Sequence, residues 1–193
     1  MIGVVLAGGK SSRLGQDKTA VTYQGETLLE RSARLLGACC DRVFVSCRDP
    51  RIVPPGLAVI EDETERVGPL GGITTVLRRL DGPICVLACD LPFMERRFLD
   101  ALLAARETRP VECVMTAWQQ RETGFIESLV AIYEPAALPL LEEGIAAGHF
   151  KLSRLVPPRL RHTLVYGPED SRFFFNVNYP RDLGQLRPDL TSA

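Results

Sequence analysis

A chain of 193 residues has room for one domain, residues 1–193, with a substantial buried core. Its 46% hydrophobic and 24% charged residues exclude a disordered chain, and a net charge of −1 supplies no general attraction to nucleic acid or to a membrane surface. No apolar run approaches the roughly 20 residues of a membrane span, and no basic leader or cleavage pattern follows Met1, which predicts a mature cytosolic chain starting there.

Taken in order, the apolar run at 2–7 predicts a buried strand, and residues 26–38 a helix with Leu28, Leu29, Ala33, Leu35 and Leu36 on one side. DRVFVSC (41–47) reads as a strand, Pro54-Pro55-Gly56 as a turn, and LAVIED (57–62) as a short strand. A helix over about 70–80 follows Gly68-Pro69, then the apolar strand PICVLACD (83–90) and the amphipathic helix RRFLDALLAARE (96–107). Strands are predicted at 111–117 and 126–133, helices at 135–147 and 149–155, strands near 161–166 and 173–177, and a closing helix from Pro180. Alternation of this kind predicts an α/β layered domain with a mainly parallel sheet.

Cys39, Cys40, Cys47, Cys85, Cys89 and Cys113 form no CxxC pair, and His149 and His162 are remote in sequence. Their spacing suits reduced thiols acting as small hydrophobes better than zinc or iron–sulfur ligands. In a strand, Cys85 and Cys89 point to one face.

Ligands of open parallel sheets bind beyond the C-terminal strand ends. Three loops leave that edge: GGKSSRLGQDK after the first strand, Asp62 with ETERVGPLGG, and Asp90 with LPF. The first holds Gly8 and Gly9, whose lack of Cβ lets an anion approach their N–H groups. Arg13 and Lys18 can add charge-assisted bonds to phosphate. A glycine-rich connection with solvated cations is the plainer reading. The loop matches neither GxxxxGK[ST] nor GxGxxG. Asp90 reads either as a helix cap or as a Mg²⁺ ligand, and Asp62 as a turn residue or as a base or metal contact.

Together these segments resemble a family. VVLAGGKSSRLGQDK is similar to the signature LAGGxSxRMGxDK of the molybdenum cofactor guanylyltransferases, with Leu14 in place of methionine. The acidic turn before GPLGG, CDLPF, and FNVNYPRDL follow in the family's order, so the resemblance spans about residues 2–187. It implies a three-layer Rossmann-like fold of the nucleotide-diphospho-sugar transferase type. It also implies transfer of GMP from GTP to the terminal phosphate of molybdopterin, the pterin of the molybdenum cofactor. GTP is then held by Leu6, Ala7, Gly8, Gly9 and Lys18, with Arg13 on the triphosphate, Asp62 on the guanine nucleotide and Mg²⁺ on Asp90. Gly68, Pro69 and Leu70 resemble the guanylyl branch, and Asn176 to Asn178 fall where the family contacts molybdopterin. Gly8 replaces the alanine of cytidylyltransferases and makes room for the larger base, or serves backbone geometry alone.

The chain departs from the family at Ser46, often asparagine near the base, at Tyr179, usually threonine, and at Glu127-Ser128, often His-Pro or Gln-Pro, in a loop that could face the pterin. Phe173 to Phe175 could form a pterin platform or a piece of core. Cofactor-delivering proteins or acceptor molybdoenzymes are conceivable partners. A cytidylyl or sugar-phosphate transferase, and a carrier without turnover, are the alternatives.

Overall fold

The computed structural model describes residues 1–7, 21–63 and 67–186. β1 (Ile2–Leu6) and β6 (Ile84–Ala88) are buried at every position, as continuous apolar runs covered on both faces should be. Side chains alternate along them. Val5, Cys85, Leu87 and Cys89 point into one core with Leu29 and Leu36 of α1 (Leu28–Gly37) and Phe98, Leu99 and Leu102 of α3 (Arg96–Glu107). Val4, Leu6 and Val86 point into a second core with Leu70, Ile73 and Val76 of α2 (Pro69–Arg79) and Leu141 of α4 (Leu138–Ala146). The period of two therefore builds three layers, helices on either side of one sheet.

The remaining strands of that sheet are β4 (Arg42–Cys47), β5 (Ala58–Glu61), β7 (Met115–Gln120), β8 (Ile126–Tyr133) and β9 (Arg161–Tyr166). Their order among the described residues is β5-β4-β1-β6-β8-β7-β9. β8 pairs antiparallel with both neighbours, and the other pairings are parallel, so the sheet is mainly parallel. Being reversed, β8 starts at the edge where β6 ends. The small hairpin β2 (Thr22–Tyr23) and β3 (Glu26–Thr27) stands outside the sheet. Among the described residues no helix is long and apolar enough to cross a membrane.

Local chemistry moves several predicted boundaries. The helix expected from 26 starts at Leu28, because Thr27 caps it: Thr27 Oγ1 accepts from Glu30 N–H and the Glu30 carboxylate accepts from Thr27 N–H. The strand expected from 111 starts at Met115, after a turn closed by Cys113 N–H on Pro110 O at 3.0 Å. The helix expected from 149 is the single turn α5 (Leu152–Leu155). No strand forms at 173–177; a 3₁₀ helix runs over Pro168–Phe174, and Val177 N–H donates to Asp90 O at 2.9 Å instead of to a strand. The closing helix from Pro180 is also 3₁₀, over Pro180–Leu186.

Candidate active site

The crevice lies where strand order reverses, with β4 and β5 on one side of β1 and β6 on the other. Leu6 is opposite both Ser46 and Ala88. Beyond the ladder, Ala7 N–H donates to Ser46 O at 2.9 Å, Cys89 N–H to Leu6 O at 3.2 Å, and Asp62 N–H to Cys47 O at 2.9 Å. The ends of β1, β4, β5 and β6 thus converge as expected, and bring Leu6, Ala7, Ser46, Asp62 and Asp90 to one edge. Gly8, Gly9, Arg13 and Lys18 lie outside the described residues.

On the β4–β5 side, Ser46 is buried and its hydroxyl donates to Asp62 Oδ1. Burial lifts the Asp62 carboxyl above its ordinary range, against the pull of the Ser46 hydrogen bond and the Arg48 charge. A Cβ on Gly72 would stand 2.5 Å from Ser46 Oγ and 3.2 Å from Asp62 Oδ1. The second half of GPLGG therefore admits this hydroxyl–carboxyl pair against α2. Gly68 precedes α2 at φ +64°, a conformation that favours glycine, and Pro69 starts the helix at a position that needs no N–H. Leu70 points into the core at 0% exposure, so contact with a nucleotide would fall to its backbone.

Asp90, half-buried after β6, is joined to the NVN segment by the Val177 N–H bond to its carbonyl. That segment is held in turn by Asp182, whose Oδ2 accepts from the N–H groups of Asn178 and Tyr179 at 2.8 Å each. Among the described residues no three His, Cys, Asp or Glu side chains group as a metal site. A single carboxylate at a ligand edge does fit Mg²⁺, which takes one or two carboxylates and completes its shell with water and substrate phosphates.

Across Asp90 from the β4–β5 side, the start of β8 borders a cavity of about 260 Å³. Pro69, Leu91 and Asn176 line it where it meets the crevice, and Phe125, Glu127 and Phe150 line its other part. Glu127 accepts a hydrogen bond from the Tyr166 hydroxyl. Burial raises the pKa of both groups, and the Glu127 carboxylate raises that of Tyr166 further, so the phenol stays protonated and donates. Phe173 and Phe174 belong to the core: Phe174 stacks on Tyr166 at 4.1 Å and both pack against Phe98. The exposed aromatics here are instead Phe125 and Phe150. The sequence marks them only weakly, each as an aromatic one or two residues after a glycine, in GFIES and GHFKLS. His162 sits at the start of β9, on the opposite edge of the sheet, and His149 is exposed after α4.

The MobA-like NTP transferase domain family matches residues 3–163. The probable molybdenum cofactor guanylyltransferase of Thermococcus gammatolerans is 32% identical over 96% of this chain and 98% of its own length. The molybdenum cofactor biosynthesis bifunctional protein of Synechocystis sp. is also 32% identical, over 96% of this chain, which spans 53% of that relative. The crystal structure of molybdopterin-guanine dinucleotide biosynthesis protein A from Archaeoglobus fulgidus covers 96% of both chains at 27% identity, with a TM-score of 0.78. The resemblance carried by the N-terminal signature thus extends over nearly the whole chain, and the three-layer sheet is of the nucleotide-diphospho-sugar transferase type. The chain belongs to the MobA-like NTP transferase domain family and is a nucleotidyltransferase.

Proposed function

We propose that this enzyme transfers GMP from GTP to the terminal phosphate of molybdopterin and releases pyrophosphate. The observation that carries the reading is the position of Asp90. It stands between the nucleotide-side pair Ser46–Asp62 and the cavity at β8, and is tied by backbone to Asn176–Asn178. A phosphoryl acceptor and a nucleotide placed on either side of one carboxylate meet there.

A terminal phosphate oxygen of the acceptor attacks the α-phosphorus of GTP. The bond from that phosphorus to the bridging oxygen breaks, and pyrophosphate leaves with the electron pair. The attacking oxygen is already anionic, so the protein's work is positioning and charge stabilisation. Asp90 would hold Mg²⁺, which would supply charge neutralisation to the phosphates. Lys18 and Arg13 would neutralise the charge that grows on the leaving pyrophosphate, and glycine at positions 8 and 9 would leave backbone N–H groups open to an anion. Asp62, oriented by the Ser46 hydroxyl, faces the guanine nucleotide. The N-terminus of α2, opened by Gly68 and Pro69, adds a favourable dipole for anions at the same edge.

Pyrophosphate release with Mg²⁺ and molybdopterin, compared across GTP, CTP, ATP and UTP, tests this. Release with GTP alone is expected. Release with CTP instead would move the enzyme to cytidylyl transfer, and silence with all four would overturn the acceptor.

A further inference from the structure

We propose that Glu127, oriented by Tyr166, accepts the N–H edge of the acceptor's heterocycle in the cavity beside Asp90, with Phe125 and Phe150 as its stacking surfaces. This rests on the molybdopterin reading above and adds the residues that would read the ring. Three observations converge. The cavity carries a carboxylate on β8, reached from the neighbouring core by the Tyr166 hydroxyl, and Lys151 is the cation among its described lining residues. Its lining includes two aromatic side chains that are about half exposed, Phe125 at 50% and Phe150 at 48%. Exposed aromatic faces of this kind suit a planar ring. Third, it opens beside Asp90 through Leu91 and Asn176, so a ring held there directs its phosphate-bearing arm toward the reaction centre.

The chemistry of the ring completes the match. A 2-amino-4-oxo pteridine presents an exocyclic N–H and a ring N–H side by side, a pair of donors spaced for one carboxylate. A carboxylate offers about four lone-pair positions, and Tyr166 uses one on Oε1. Two N–H donors would offset the desolvation that burial imposes on Glu127. Tyr166 is fixed by its stacking on Phe174, so the Glu127 carboxyl is held in place before any ligand arrives. A pteridine with oxygen at position 2 would turn an acceptor toward the same carboxylate and be rejected.

The test uses the full chain, with binding followed by quenching of pteridine fluorescence. The probes are a pterin carrying a phosphorylated side chain and its 2-oxo counterpart. The wild-type enzyme is expected to prefer the pterin. Glu127→Gln should weaken pterin binding on the order of 10-fold or more and narrow its preference over the 2-oxo compound, because the amide can donate to that oxygen. The KM for GTP should hold. Tyr166→Phe, which keeps the stacking ring, should shift both quantities the same way by less, and it decides the matter if Glu127→Gln does not fold. Unchanged pterin binding and preference in both variants, in an enzyme that transfers GMP to molybdopterin, would overturn the role of Glu127 alone. A wild-type enzyme that binds neither pteridine and transfers nothing to molybdopterin would overturn the acceptor reading and this inference with it.

Discussion

The two sides of Asp90 are built differently. On the nucleotide side, Leu6, Ala7, Ser46 and Asp62 are held where they are by parallel strand pairing and its continuation past the ladder. A sheet places these groups as a by-product of its own hydrogen bonding. On the proposed acceptor side, Glu127 is the second residue of a reversed strand, Phe150 lies in the connection before α5, and Asn176–Asn178 are joined to Asp90 and Asp182 by backbone N–H bonds. Here position depends on individual side-chain and backbone contacts, which different members of one fold can vary without disturbing the sheet. On the function proposed above, the common chemistry of nucleotidyl transfer would fall to the half built by strand pairing, and acceptor choice to the half that loops assemble.

Kinetics can break or sharpen that contrast. Asp90→Ala should abolish transfer, lowering kcat by on the order of 10³-fold or more while the fold persists; near-full activity in a pyrophosphate assay would remove Asp90 from the metal role. Lys18→Ala is expected to cost on the order of 10²–10³ in rate, as for other dedicated oxyanion donors, with the acceptor KM unaffected. Asp182→Ala deletes the acceptor of two N–H bonds at 2.8 Å. Its effect, roughly 10-fold, should fall chiefly on the acceptor KM; a change confined to the GTP KM would erase the division between the sides.

Gly72→Ala forces a methyl group to 2.5 Å from Ser46 Oγ. It should destabilise the protein by about 1–3 kcal/mol in thermal or denaturant unfolding and raise the KM for GTP. Adding Ser46→Ala should recover part of that stability, since the two positions touch and their effects are not additive.

The smallest effect concerns pH. Asp62 has a folded pKa above its ordinary value, mainly through burial. The folded state then binds more protons than the unfolded state in the interval between the two values, so its contribution to stability falls as pH rises through that interval and stays low above it. Asp62→Asn should therefore melt higher than the wild type at pH 7, with the difference closing as pH falls below roughly 3.9. The same variant should transfer GMP more slowly. A gain in stability with a loss in rate marks a carboxylate kept for function.

The nucleotide half was largely legible in sequence. An apolar run ending in LAGG, a strand ending in CD, and a short strand ending in ED each place their last residues on the ligand edge by the rules of parallel sheets. Ser46 was legible as a position but not as a partner; its bond to Asp62 depends on which strand sits beside β4 and on Gly72 clearing space. Phe173–Phe175 shows the opposite limit. Aromatic composition suggested a strand, yet Pro168 starts a 3₁₀ helix and the rings pack onto Phe98, Tyr166 and Phe93, because ring packing centred on the buried Phe174 outweighs strand propensity at that site.

By itself, the sequence determined the α/β layered architecture, the mainly parallel sheet and the edge at which the candidate ligand loops gather, because apolar patterning and strand–helix alternation are local properties of the chain. Tertiary structure alone decided that β8 runs backwards and brings Glu127, Phe125 and the cavity to the same edge as Asp90. It also decided that Val177 would pair with Asp90 rather than extend the sheet. The reason is physical: strand direction and long-range backbone pairing are settled by which surfaces remain to be covered once the first strands have met, and no window of residues contains that information.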